Sequence, residues 1–204
     1  MNLLSQLNAS LSEIGVALRR PEAFTLRWRD RARAAAEAPP VLVFPVLVAT
    51  AIVGVALYGM VMRLHEGWGG MLLGAVKAPV AAGLAWTVAL PALYILNSAL
   101  GSRLDASTTL LAALATVSFG SLALLASVPI TWFFGLALPF PWARVGANLV
   151  VFAGVGLCMV DVFLRTMKAL EPERGALFAA IWVGLVGVIG AELMALFSLF
   201  HFDA

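Results

Sequence analysis

Five blocks of this chain, about residues 41–61, 71–96, 108–134, 145–164 and 176–200, are each twenty or more residues long and almost free of charge. A helix crosses about 30 Å of hydrocarbon with about 20 apolar residues. No soluble core of 204 residues needs five such blocks. Soluble domains run near 45–50% apolar and about 25% charged. This chain is 62% hydrophobic and 12% charged. The expectation is an all-α integral membrane protein with five transmembrane helices, multi-pass in a bacterial inner (cytoplasmic) membrane. Two parts follow: a cytoplasmic amphipathic and arginine-rich segment, 1–38, and a five-span domain, 39–204.

The first part begins with Leu3, Leu4, Leu7, Leu11, Ile14 and Leu18. That spacing makes one helix face apolar. At this length an amphipathic helix lies on a membrane surface rather than crossing it. Packing on the rest of the protein fits the same pattern. The arginines follow the apolar residues, which are spaced rather than continuous, so a signal peptide is not expected. Pro21 breaks the helix, and a second short helix is predicted up to Pro39 and Pro40.

Arg19, Arg20, Arg27, Arg29, Arg31 and Arg33 crowd just before the first span. Such a cluster favours anionic lipid head groups by about 1 kcal/mol per charge near the surface. It also sets topology, because cytoplasmic loops carry the excess of lysine and arginine. With the N-terminus inside, Arg103, Arg165, Lys168 and Arg174 join the six on the cytoplasmic side. Only Arg63 and Arg144 fall outside. Five spans then put the C-terminus outside. Trp68, Trp132, Phe134, Phe140 and Trp142 would gather at the outer interface, where amphipathic rings sit well.

The second span holds Lys77 and two interior prolines, Pro79 and Pro91, and the third carries Pro129 near its end. Proline removes a helix hydrogen bond, so all three are expected to bend their helices. A lysine at the centre of a span costs roughly 2.5–3.5 kcal/mol and is usually paired. Lys77 lies about 9 Å into its span and Glu192 about 12 Å from the end of the last, at 1.5 Å per residue. Similar depth and opposite charge predict a Lys77–Glu192 pair if those spans are neighbours. A second pair, Asp161 with Arg165, follows from the favourable acid-first i,i+4 arrangement. The first pair reads either as an ion or proton site or as a structural contact.

In the last span Ala180, Gly184, Gly187 and Ala191 recur at helical spacing. Small residues let helix backbones approach closely. Gly146, Gly154 and Gly156 suggest the same for the fourth span. Ser118, Ser121 and Thr116 are the main polar groups of the third.

No known catalytic or nucleotide-binding motif is present. The single cysteine, Cys158, cannot form an internal disulfide or a cysteine metal site. His65 and His201 are far apart in sequence, and no metal site is assigned to them. No enzyme activity, cofactor or nucleic-acid partner is expected.

L-Y-G-M-V-M (57–62), K-A-P-V (77–80), L-P-A-L-Y-I-L-N-S-A-L-G-S (90–102) and V-P-I-T-W-F-F (128–134) resemble a group of uncharacterised bacterial multi-span proteins with a K-x-P, P-x-L-Y and P-I-x-x-F-F layout. That resemblance covers about residues 50–165 and carries no site with it. The layout is also similar in topology alone to the Yip family, which acts in membrane organisation and trafficking. Three functions follow as expectations. The first is a non-enzymatic scaffold or accessory subunit, bound to other membrane subunits or to itself. The second is a small transporter or channel subunit using Lys77 and Glu192. The third is a membrane-organising protein.

Overall fold

Every regular element among the described residues of the computed structural model is a helix; these residues are 12, 15–17, 19–33, 43–99, 102, 104–173 and 176–197. In chain order they are α1 (Pro21–Arg33), α2 (Val43–Met62), a single 3-10 turn (Leu64–Glu66), α3 (Gly67–Ala99), α4 (Ala106–Ala126), α5 (Val128–Ala137), α6 (Pro141–Leu170) and α7 (Ala176–Leu196). Among the described residues, four segments are long and apolar enough to cross a membrane: Phe44–Met62, Leu64–Ile95, Ala106–Ala126 and Pro141–Leu170. They carry large apolar side chains outward as well as inward: Val76, Val150 and Leu157 are all exposed. A helix that is hydrophobic all round suits a bilayer.

The long helices form a ring. α2 packs between α3 and α4, α3 continues onto α7, α7 onto α6, and α6 back onto α4. α1 lies across α4 and α6 at one end, and α5 across α2 and α6 at the other. Pro21 is the first residue of α1, a position where its fixed φ fits and its missing N–H is not needed. α1 is not set apart from the bundle. Phe24 is buried with Ala17, Leu47 and Leu111, and Trp28 meets Phe44 edge-on, with ring centroids 5.2 Å apart. Of the expected amphipathic helix over residues 3–18, only 12 and 15–17 are described, so most of that expectation lies outside the described residues.

The third expected span, 108–134, is two helices rather than one. α4 and α5 meet at Ser127, and Pro129 opens α5 instead of bending a continuous span. Pro129 has no N–H to give the Leu125 carbonyl, so the ladder is interrupted there. Ser127 Oγ supports the junction by donating to the Ala123 carbonyl at 2.9 Å. By contrast α3 remains one helix of 33 residues through both Pro79 and Pro91.

Glycines bring the backbone of α2 close to those of α3 and α4. A Cβ added at Gly59 would lie 2.5 Å from the Gly74 carbonyl oxygen, and one at Gly54 2.6 Å from that of Ser121. Missing side chains there let the backbones touch. Gly146, Gly154, Gly156, Gly184 and Gly187 have open space where a Cβ would stand. Among the described residues, the small-residue faces expected in the fourth and fifth spans therefore pack against nothing.

Candidate functional site

Lys77 is half-buried on α3, and α3 and α7 are neighbours. Its ammonium donates to the Phe197 carbonyl oxygen at 2.9 Å, just beyond the last residue of α7. The final carbonyls of a helix lack intrahelical partners and carry its partial negative charge. A lysine from the adjoining helix satisfies both needs. Among the described residues no ion pair joins Lys77 to Glu192. Glu192 is exposed, with Gly184, Leu185 and Val188 on the same face of α7. The opposite face packs: Leu193, Met194 and Phe197 lie against the buried cluster around Tyr58 and Val155. The two helices meet as sequence depth suggested, but α7 is rotated so that its carboxylate points away from the lysine.

The second expected pair is present. Arg165 Nη2 lies 2.8 Å from Asp161 Oδ2, with both side chains more than half exposed. Solvent or head groups screen such a pair, which contributes little to stability.

A buried polar network joins α2, α5 and α6. Tyr58, 1% exposed, donates its hydroxyl to Asn148 Oδ1 at 2.9 Å and accepts from Thr131 Oγ1 at 3.1 Å. Asn148 Nδ2 donates to the Arg144 carbonyl at 3.0 Å. Ser118 and Ser121 bridge α4 to α2 by donating to the carbonyls of Leu47 and Thr50, at 2.9 and 3.1 Å. Each hydroxyl also lies within 2.9 Å of a carbonyl of its own helix, so its one proton is shared between the two acceptors, whereas, among the described residues, Thr116 donates to Ala112 alone. Sequence reasoning noticed the serines but missed Tyr58, Asn148 and Thr131. Asn148 in an otherwise apolar span was the available signal.

At the same end, Arg63 is 5% exposed and grips Glu66, its Nε lying 2.9 Å from each carboxylate oxygen. Gly67 follows at φ 75°, a left-handed turn that glycine adopts without strain and that starts α3. Trp68, Trp132, Phe140 and Trp142 are all at least half exposed, and the rings of Phe140 and Trp142 stack at 6.0 Å.

The arginine cluster divides. Arg29 Nη1 donates to the Leu170 carbonyl at 3.0 Å, capping α6, and its Nη2 meets Asp30 at 3.2 Å. Arg19, Arg20 and Arg27 are exposed. The side chains of Arg31 and Arg33 lie outside the described residues. Also at this end, Asp105 precedes α4 and accepts from the hydroxyls of Ser107 and Thr108. The Ser107 bond, above all, holds its carboxyl below the usual value of 3.8, against a smaller opposing effect of burial.

Among the described residues no three of His, Cys, Asp and Glu come together as metal ligands would. Comparison with protein-family models, with curated proteins and with solved structures gave no match.

Proposed function

We propose that the chain is a non-enzymatic accessory subunit or scaffold of a membrane complex, with five spans, a cytoplasmic N-terminus and a place in a bacterial inner membrane. One observation carries this reading: Glu192 stands exposed on the outward face of α7, an otherwise apolar helix. A carboxylate facing hydrocarbon is unfavourable by a few kcal/mol and is usually covered by a partner. Beside it on that face Gly184, where an added Cβ would meet nothing within 4 Å, leaves room for a second helix to approach. A partner span bearing a lysine or arginine at that depth would satisfy both features. The rival ion-path reading has less support, because Lys77 is held by a main-chain carbonyl and Glu192 faces the other way.

The test is purification from native membranes in mild detergent. A co-purifying membrane chain, or a second copy, that is released by Glu192→Gln and by Gly184→Leu supports the reading. A lone monomer, unchanged by either substitution, ends it.

A further inference from the structure

α2, α3 and α4 enclose a lateral groove of about 420 Å³. Its lining mixes small residues, Ala51, Ala82 and Gly83, with larger ones such as Ile52, Trp86 and Leu114, and every lining residue is apolar. Along α3 the lining runs from Pro79 to Leu90. That is eleven steps, or about 16 Å at 1.5 Å per residue. Half of the roughly 30 Å hydrocarbon thickness is about 15 Å, so the groove is one leaflet long.

One end of the groove lies under α1. Leu114 lines it and also packs on the cluster of Ala17, Phe24, Leu47 and Leu111. Val48 and Leu110 are chain neighbours of Leu47 and Leu111. The segment that covers this end carries Arg19, Arg20 and Arg27, all exposed. No described side chain bonds to them. Among the described residues no acid forms an ion pair with them, and Asp30 of α1 pairs with Arg29 instead.

We propose that this groove holds one acyl chain of an anionic phospholipid whose phosphate sits on Arg19, Arg20 and Arg27. Groove length fits a chain of one leaflet, and the arginines lie at the end where its head group would emerge. A partner helix, about 10–12 Å across with its side chains, is too wide for so small a recess. Basic clusters next to membrane helices attract anionic lipid, and guanidinium suits phosphate geometry. The inference requires only that these helices lie in a bilayer and is independent of the accessory-subunit reading.

The test uses the full chain, delipidated in detergent and titrated with phosphatidylglycerol or phosphatidylcholine under native mass spectrometry. One phosphatidylglycerol should bind at least tenfold more tightly than phosphatidylcholine, with the difference shrinking as salt rises. Arg19→Gln, Arg20→Gln and Arg27→Gln together should abolish that preference. These side chains are exposed, so the variant keeps its fold. Gly83→Phe, placed where a Cβ meets nothing within 4 Å, should block the groove and remove the tight step. Equal affinity for the two lipids overturns the proposal. So does tight binding that survives both variants, or a dimer that Gly83→Phe dissociates.

Discussion

The ammonium of Lys77 reaches the carbonyl oxygen of Phe197 at 2.9 Å, tying the middle of α3's first half to the place where α7 stops. Its position explains how an apolar helix tolerates a lysine. The charge meets the negative end of a neighbouring helix and needs no carboxylate. Phe197 is five residues beyond Glu192, about 7.5 Å along the helix. A Cβ added at Gly190 would touch the Ala85 side chain at 4.0 Å, so the antiparallel register places Glu192 deeper than Lys77. Depth and rotation together separate the two charges.

Lys77→Met should therefore destabilise the isolated protein by about 1 kcal/mol, the scale of hydrogen bonds between membrane helices. Glu192→Gln should change little in the same preparation. The double variant should be additive within about 0.5 kcal/mol, as for sites that share no partner. Unfolding of all four proteins in mixed micelles measures the cycle. A larger coupling would restore the direct pair.

Tyr58→Phe removes one hydroxyl and strands two buried groups, Asn148 Oδ1 and Thr131 Oγ1. Leaving buried donors or acceptors without partners costs about 1–3 kcal/mol. The same unfolding assay should show that loss. Asn148→Ala in the Tyr58→Phe background should then cost less than it does alone, because the bond it would break is already gone.

Much of this arrangement was legible in the sequence. Hydropathy located the long helices, because crossing length depends on composition alone. Asp161 and Arg165 were legible because both lie on one helix, where spacing fixes geometry. Contacts between helices were not. Glu192 and Leu193 are adjacent in sequence, yet one faces outward and the other packs toward the core. Only packing against α3 and α6 decides that rotation. Tyr58, Thr131 and Asn148 are single polar residues on three separate helices, a pattern with no period to detect. Pro129 signalled a bend, but apolar composition continues past Ser127 and hid that the span divides there into two helices.

Asp105 provides a pH signature outside the spans. Its carboxyl titrates lower in the folded protein than in the unfolded chain, where the value is 3.8. The charged form is thus the one favoured by folding. Its contribution is present above pH 3.8 and is lost as pH falls through the lower folded value. Wild-type stability should decline more steeply across that acid range than that of Asp105→Asn. Melting temperatures collected from neutral to acid pH would show the difference, and parallel curves would refute it.

Glycines divide this bundle into tight and open contacts, and alanine substitution should reveal the division. At Gly59 a Cβ would press on the Gly74 carbonyl oxygen at 2.5 Å and on Ala78 Cβ at 2.6 Å. Gly74 meets Gly59 from the other side, with Arg63 Cδ also close at 3.3 Å. Backbone atoms in a packed helix pair cannot turn aside as a flexible side chain can, so the helices must separate. Gly59→Ala and Gly74→Ala should each cost about 1–3 kcal/mol, the range for overpacking a core. Moving α2 from α3 would also disturb Arg63 and Glu66 above and Tyr58 below. Gly156 and Gly184 are helical glycines with nothing within 4 Å of an added Cβ. There alanine should be neutral or stabilise by up to about 1 kcal/mol, through higher helix propensity. Unfolding of the four single variants in micelles compares the two classes directly. If Gly184→Ala proved as damaging as Gly59→Ala, α7 would have to be packed through the face that the structure leaves open.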